Sequence, residues 1–328
     1  MYEPRHIPAS HRLSAWLLSA LFALSLCVQQ AWAAPAERTV IPLGQAVGIK
    51  LFADGVLVVA LADGPTPARA CGLRQGDIIT AMDGAAVGST EQVQDLLADT
   101  AGAPIVLSVR RGADALALTA CARENNGVWQ LGAWIRDSMA GIGTLTYYDP
   151  ATGQYGALGH GITDVDTAQL MPLGSGAIME TTVKAVKKGA KGDPGELKGD
   201  FSVQRDVGTV TVNSSGGIFG TVAEGDFVSG TALPVAQRSQ VTTGPATILS
   251  TVSGDDTRAY QVEIVRLCPM NRDGRDLLLK VTDPQLLETT GGIVQGMSGS
   301  PILQNGKLIG AVTHVLVAVS YTHLRAHE

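Results

Sequence analysis

The chain is poor in aromatics and in charge. Phe, Trp and Tyr make up 5% of its 328 residues, Asp, Glu, Lys and Arg only 16%, and the formal net charge is −6. A chain with so few basic groups is no nucleic-acid binder, because phosphate contacts need a cationic face. Nor is it the charge-rich, apolar-poor kind that stays disordered. With few rings to pack, Val, Leu and Ile must fill the core. Cysteine is scarce too: Cys27, Cys71, Cys121 and Cys268. Their spacings match no metal motif, and the three beyond residue 34 allow at most one disulfide, so buried free thiols are expected. No His-Glu-x-x-His or other metal signature occurs, which implies no metal and no cofactor. No apolar run reaches the roughly 20 residues of a comfortable spanning helix.

What the chain has is glycine, 39 of them, and length enough for two domains of about 100–200 residues. Residues 1–34 read as a targeting segment: Arg5 and Arg12 give the positive start, Leu13 to Val28 the apolar run, and Ala31-Trp32-Ala33 a small-residue cleavage site. The remainder is expected to be exported. If residues 13–28 stay uncleaved they anchor the chain to the membrane.

The stretch with the most chemistry is Gly291-Gly292-Ile293-Val294-Gln295-Gly296-Met297-Ser298-Gly299-Ser300-Pro301. A serine between glycines suits a tight exposed turn where a substrate carbonyl can approach closely. The amides of Gly296 and Ser298 are then candidates for an oxyanion hole. Gly-x-Ser-Gly-x-Pro is the nucleophile turn of chymotrypsin-like proteases, although a bare G-x-S-G equally describes a turn between strands. Met297 stands where chymotrypsin has an Asp, so activation by a new N-terminal amine is excluded, and control through the N-terminal domain is the expectation instead.

Residues 40–122 carry Ala68-Arg69-Ala70-Cys71-Gly72-Leu73-Arg74-Gln75-Gly76-Asp77-Ile78-Ile79 and then Met82-Asp83-Gly84. Gly72 and Gly76 permit sharp turns, Asp77 ties a loop, and Ser89 or Thr90 caps a helix predicted over Ser89 to Ala98. This series resembles the PDZ domain, a small α+β barrel that takes an extended peptide as an added strand. The resemblance puts the peptide-binding loop at Gln45, Ala46, Val47, Gly48 and Ile49.

Residues 125–328 show short β-branched runs broken by Gly, Asp and Asn, the spacing of an all-β barrel. Residues 189–199 look briefly collagen-like, but the glycine period breaks, leaving a hairpin loop whose lysines 184, 187, 188 and 191 read as a solvated face. Asn213-Ser214-Ser215 fits a glycosylation sequon and is read as coincidence. Within Gly159-His160-Gly161-Ile162-Thr163-Asp164, His160 is an exposed imidazole able to take a serine proton. In Thr282-Asp283-Pro284, Asp283 is either a helix cap or a carboxylate that orients an imidazole. His314, on the strand after the serine turn, is a second candidate base. His160, Asp283 and Ser298 stand in the order of a chymotrypsin-like triad.

Those segments, with Lys188 to Glu196 and Gly291 to Pro301, together resemble the SpoIVB peptidases of endospore-forming bacteria, over about residues 40–317. The resemblance implies a mainly β fold, a PDZ domain followed by a trypsin-like barrel domain. It also implies an exported serine endopeptidase, with Ser298 as nucleophile, His160 as general base and Asp283 as orienting acid. The implied site is the space between the membranes around the forespore. The implied substrates are the enzyme itself and a regulatory membrane protein, whose cleavage frees an intramembrane protease to process a mother-cell sigma factor. After Val317 the sequence departs from the family's next strand and reads as a truncated or foreign end, which would leave a barrel edge unpaired. Two alternatives stay open: an HtrA-like quality-control protease, in which the PDZ follows the protease, and a non-catalytic PDZ scaffold.

Overall fold

The computed structural model describes residues 37–223, 227–268, 275–317 and 322–327; the expected targeting segment lies outside the described residues. Strands dominate. β1 (Thr39–Pro42) is followed by β2 (Ala46–Leu61), sixteen residues long, then α1 (Pro67–Ala70), β3 (Ile78–Met82), β4 (Ala85–Ala86) and α2 (Thr90–Thr100). Next come β5 (Pro104–Arg111), β6 (Asp114–Cys121), the small hairpin β7 (Arg123–Asn125) and β8 (Val128–Gln130), and the seventeen-residue β9 (Ala133–Asp149).

β2 and β9 are antiparallel partners along almost their whole length, from Ala46↔Thr144 to Leu61↔Ala133. Their two ends belong to different bodies. At one end they join β10 (Gln154–Ala157), β11 (Ser175–Lys187), β12 (Glu196–Ser214) and β13 (Gly217–Val222). The pairings run β9-β10-β13-β12-β11-β2, and the β2–β9 ladder closes the ring into a six-stranded barrel. Its interior holds Val47, Ile49, Leu51, Leu145, Tyr155, Ile178 and Ile218. At the other end β2 pairs with β3, which leads to β5 and β6. Here Val56, Val58, Ile79, Met82, Leu107 and the inner face of α2 (Val93, Leu97) form a separate core. Two long strands therefore link the PDZ-like body to the first barrel across the expected boundary between 40–122 and 125–328. Val47 to Phe52 are barrel residues, paired on both flanks.

The second barrel is closed as well, in the order β15 (Gly244–Thr251), β16 (Thr257–Leu267), β17 (Leu277–Val281), β20 (Thr322–His327), β19 (Lys307–Val317), β18 (Pro301–Gln304). β20 overturns the expectation of an open edge, because Thr322 to His327 pair with β19 and Leu277 to Lys280 with the same strand's other side. Ile248, Val262, Leu279, Met297, Ile302 and Val312 fill this interior. Between β17 and β18 lies α3 (Pro284–Thr290), which starts on Asp283 and Pro284 and stops at Gly291, held at φ +76°. β14 (Leu233–Pro234) pairs with β1 at the sheet's far edge.

Candidate functional site

The serine turn is built from the second barrel and pinned by the first. Its amides are sorted: Gln295 N–H donates to Gly195 O at 2.8 Å, Met297 N–H to Val294 O at 3.2 Å, and Gly299 N–H to Val312 O at 2.7 Å. No acceptor meets the amides of Gly296 or Ser298 among the described residues, so both stay available to an incoming oxyanion. Met297 points inward and is fully buried in the barrel core, which fixes the turn from behind. Thr144, on β9, grips it from the front. Its amide donates to Ser298 O at 3.0 Å and its hydroxyl to Gly296 O at 2.8 Å. Gly299, at φ +98°, has its Cα pressed against the Thr144 carbonyl, leaving no room for a Cβ. The Ser298 hydroxyl rests 3.1 Å from the Thr313 carbonyl, to which it donates.

His160 follows β10, next to the glycine that meets Thr313 of β19. Gly159, at φ +67°, packs against Thr313, whose Cγ2 would lie 2.6 Å from a side chain there. The His160 ring centroid is 5.5 Å from that of His314, with the planes tilted by 52°. Nδ1 of His160 is 2.9 Å from Gly161 O. A carbonyl oxygen only accepts, so Nδ1 is the donor here, and in the neutral ring Nε2 is left as the acceptor. That is the tautomer a general base requires. Ser298, Thr313, His314 and His160 thus meet where the two barrels face each other.

The loop after His160 is held by groups that sequence reading missed or misjudged. Asp164 is wholly buried and accepts from Asp166 N–H (3.1 Å), Thr167 N–H (2.9 Å) and Thr167 Oγ1 (3.0 Å), and pairs with Arg136 of β9. Burial works against its ionisation, but the Thr167 amide and hydroxyl, Arg136 and the Asp166 amide outweigh it and hold the carboxyl below its ordinary value. Asn213, the residue of the apparent sequon, accepts from Ile162 N–H at 2.9 Å and donates to the carbonyls of Ile162 (3.0 Å) and Met171 (2.9 Å). Its amide is a loop clamp. Nothing local in the sequence signals Arg136 or Asn213 as partners, since they lie 28 residues from Asp164 and 51 from Ile162.

Asp283 is placed as a helix cap. One carboxylate oxygen accepts from Leu286 N–H at 3.0 Å and the other from Gln261 N–H at 3.2 Å. The His160 nitrogen that a triad carboxylate would hold is bonded to Gly161 instead. The contacts of Asp283 are thus those of a helix cap, whereas the Ser298 turn and the His160 loop both meet Thr313. Lys188 is also more than a solvated charge, because its ammonium donates to Glu288 O at 2.9 Å, at the carbonyl end of α3.

The expected peptide loop at Gln45 to Ile49 is corrected too. Val47, Gly48 and Ile49 have β11 on one flank and β9 on the other, so their backbone has no edge to offer. An open edge exists elsewhere. At Ala133 to Arg136 β9 pairs with β2 on one side only, and its other side faces α2 across a cavity of about 480 Å³. Ile79, Val93, Leu97, Leu131 and Ile135 line it, and Trp134 beside it is 68% exposed. Asp137 ties the two walls, accepting from Thr90 N–H (2.7 Å) and Thr90 Oγ1 (3.1 Å). Burial raises its tendency to hold a proton, but the hydrogen bonds from Thr90 and Ser138 prevail and lower its pKa. The run Leu131-Gly132-Ala133-Trp134, apolar-Gly-x-aromatic ahead of a strand, is the signal that could have marked this place.

Among the described residues no group of three or more His, Cys, Asp or Glu side chains is arranged to hold a metal ion, and no helix is long and apolar enough to cross a membrane.

Comparison with known proteins gives two family matches: a PDZ domain over residues 59–111 and the SpoIVB peptidase S55 domain over 127–323. No curated protein matches the chain. Among solved structures, the PDZ domain of an SdrC-like protein from Listeria monocytogenes is 25% identical, covering 25% of this chain and 87% of that one at a TM-score of 0.23. The peptidase match spans more than half of the chain, including the serine turn, the His160 loop and the barrel strands from β9 to β19, but not β2. The chain belongs to the SpoIVB peptidase S55 family and is a serine peptidase, a hydrolase of peptide bonds with a PDZ domain at its N-terminal side.

Proposed function

We propose that Ser298 is the nucleophile and His160 the general base. In the acylation step the Ser298 oxygen bonds to the peptide carbonyl carbon, and the hydroxyl proton moves to Nε2 of His160. The carbonyl oxygen becomes the oxyanion, met by the Gly296 and Ser298 amides. The same proton then passes to the leaving amine, and water repeats the sequence to release the acyl group. One observation carries this reading: the His160 loop and the Ser298 turn converge on Thr313 from opposite barrels, by the Gly159 contact and by the 3.1 Å hydroxyl bond. The resting bond from Ser298 to Thr313 has to swing to His160 as substrate enters, a tightening common in serine enzymes without substrate. A fluorophosphonate tests it. Wild type is expected to be labelled at one site, and Ser298→Ala and His160→Ala are expected to abolish labelling. Labelling of a folded wild type that persists in both variants would remove the proposal.

The groove between α2 and β9 is the place for an extended peptide, added along the free edge of β9 with apolar side chains toward Val93 and Leu97. Control of the peptidase through this groove follows from connectivity. β9 carries Arg136, which binds Asp164 and Asp166 of the His160 loop, and eight residues later Thr144, which grips the serine turn. Gln75 of the PDZ turn also donates to Asp166 O at 3.0 Å.

The chain's substrate class is then a protein strand, cleaved outside the cytoplasm. Family membership supports a role in sporulation. The finer role is the family's: export by residues 1–34, self-cleavage, and cutting of a regulatory membrane protein so that an intramembrane protease processes a sigma factor. Incubating the purified chain and its Ser298→Ala form separately tests the first step, with fragments expected only from the wild type.

A further inference from the structure

We infer that His160 and His314 together form a two-imidazole site for Zn2+ or a cation of its class, and that filling it switches the peptidase off reversibly. The switching rests on the reading of His160 as the general base. The site itself rests on the geometry of the two rings.

Those rings come from different barrels. His160 follows β10 of the first, His314 lies on β19 of the second, and their centres are 5.5 Å apart with the planes tilted by 52°. A tetrahedral Zn2+ bonded to two Nε2 atoms at about 2.0–2.1 Å, with each ring centre about 1.1 Å behind its nitrogen, sets the centres about 5.2 Å apart. Small side-chain rotations bring the observed pair to that spacing.

The other nitrogens are held as those of metal ligands are. A ligating imidazole keeps its second nitrogen against a backbone carbonyl, a carboxylate or water, which fixes the ring. Nδ1 of His160 is 2.9 Å from Gly161 O, and Nδ1 of His314 is 2.9 Å from Thr313 Oγ1. Both residues are half-buried, so an ion can reach them from solvent. Coordination replaces any proton or hydrogen bond at Nε2. Imidazole nitrogen favours Zn2+ and its neighbours, whereas Mg2+ and Ca2+ take oxygen. Two protein ligands, against the four of a structural zinc site, leave the remaining positions to water and suit a reversible effector better than a resident cofactor.

The consequence for the reaction is direct. A cation on Nε2 of His160 occupies the lone pair to which the Ser298 proton has to move, so acylation stops. Removing the ion restores the base.

The test uses the full chain, labelled by a fluorophosphonate and titrated calorimetrically with Zn2+ alone, with Mg2+ as the control. Zn2+ is expected to slow labelling of the wild type, excess EDTA to restore it, and Mg2+ to do nothing. In His314→Ala and His314→Gln, the Zn2+ concentration that halves each variant's own labelling rate is expected to rise at least about tenfold. Calorimetry is expected to lose one Zn2+ site in His314→Ala and the same site in His160→Ala, with nothing further lost in the double variant. Should His314→Ala fail to fold, His314→Gln gives the comparison. A halving concentration in the folded His314 variants within about threefold of wild type overturns the proposal. So does a labelled wild type indifferent to Zn2+, or a full complement of Zn2+ sites in His160→Ala. A site lost in both single variants, beside labelling indifferent to His160 and Ser298, would overturn the inhibition by removing the reaction beneath it, and the fault would then lie with the assignment of the base.

Discussion

Thr144 and Ser298 are joined across the two barrels, backbone to backbone, by the Thr144 amide at 3.0 Å from the Ser298 carbonyl. The Thr144 hydroxyl adds a second bond, to Gly296 O. The nucleophile turn thus takes its shape from a strand of the opposite barrel, and the same strand begins at the PDZ groove.

That relationship makes Thr144→Val informative. Valine keeps the shape and the amide but removes the hydroxyl, leaving the half-buried Gly296 carbonyl short of a donor at a cost of about 1–3 kcal/mol. Part of that cost is taken by relaxation of the turn that carries both oxyanion amides. The inactivation rate constant with a fluorophosphonate is expected to fall about tenfold, equivalent to about 1.4 kcal/mol, with the fold retained by circular dichroism. An unchanged rate would mean that the backbone bond alone sets the turn.

Asp283 gives a prediction of the opposite kind. As the cap of α3, with Pro284 at the first helical position, it contributes about 1 kcal/mol to stability. Asp283→Asn retains an acceptor for Leu286 N–H, so the melting temperature should drop little and labelling should stay within a few fold of wild type. Asp283→Ala should cost about 1–2 kcal/mol in urea unfolding. A loss near 10⁴-fold in rate for a folded Asp283→Asn, the scale seen when a triad carboxylate is neutralised, would return the orienting role to Asp283.

The two lowered carboxyls set an acid limit. For Asp164 and Asp137 the folded pKa lies below the unfolded one, near 3.8. Each contributes stability that is fully present above pH about 4–5 and is lost as pH falls through the folded value. Unfolding free energy measured between pH 6 and 2 should therefore decline below about pH 4. Asp164→Asn should flatten part of that decline while lowering stability at neutral pH by about 2–3 kcal/mol, the range for a hydrogen bond to a charged group. A variant whose pH slope matches wild type would show that other acids carry the acid limb.

How much of this was legible in the sequence depends on the range of the interaction. Local grammar was readable: Ser89 caps α2 by accepting from Gln92 N–H, and Asp77 ties its turn through Arg74 N–H and the Arg111 guanidinium. The tight turns around Ser298 and before His160 were readable because glycine spacing is local chemistry. What escaped was pairing at a distance. No pattern within Ala46 to Leu61 says that they form one strand, with one end in a barrel and the other in a PDZ body. Asp283 escaped for another reason: an Asp before Pro fits a cap and a catalytic acid equally well, and only its two amide partners decide. Thr322 to His327 looked unlike the family's strand, yet the backbone needs only extended conformation to fill the gap between β17 and β19.

The groove supplies the last prediction. Trp134 is mostly exposed beside a cavity lined by Val93, Leu97, Leu131 and Ile135, so a peptide laid along Ala133 to Arg136 would cover its indole. Peptides ending in apolar residues should shift its fluorescence to the blue, and the shift should vanish in Trp134→Phe, which leaves the backbone edge intact. If the groove communicates with the serine turn through β9, the same peptides should change the fluorophosphonate rate constant of the wild type, and Arg136→Gln, which cuts the tie to Asp164 and Asp166, should blunt that change without abolishing binding. Peptide binding with no effect on rate in either protein would leave a docking groove but no coupling. β9 would then be a shared structural strand and nothing more.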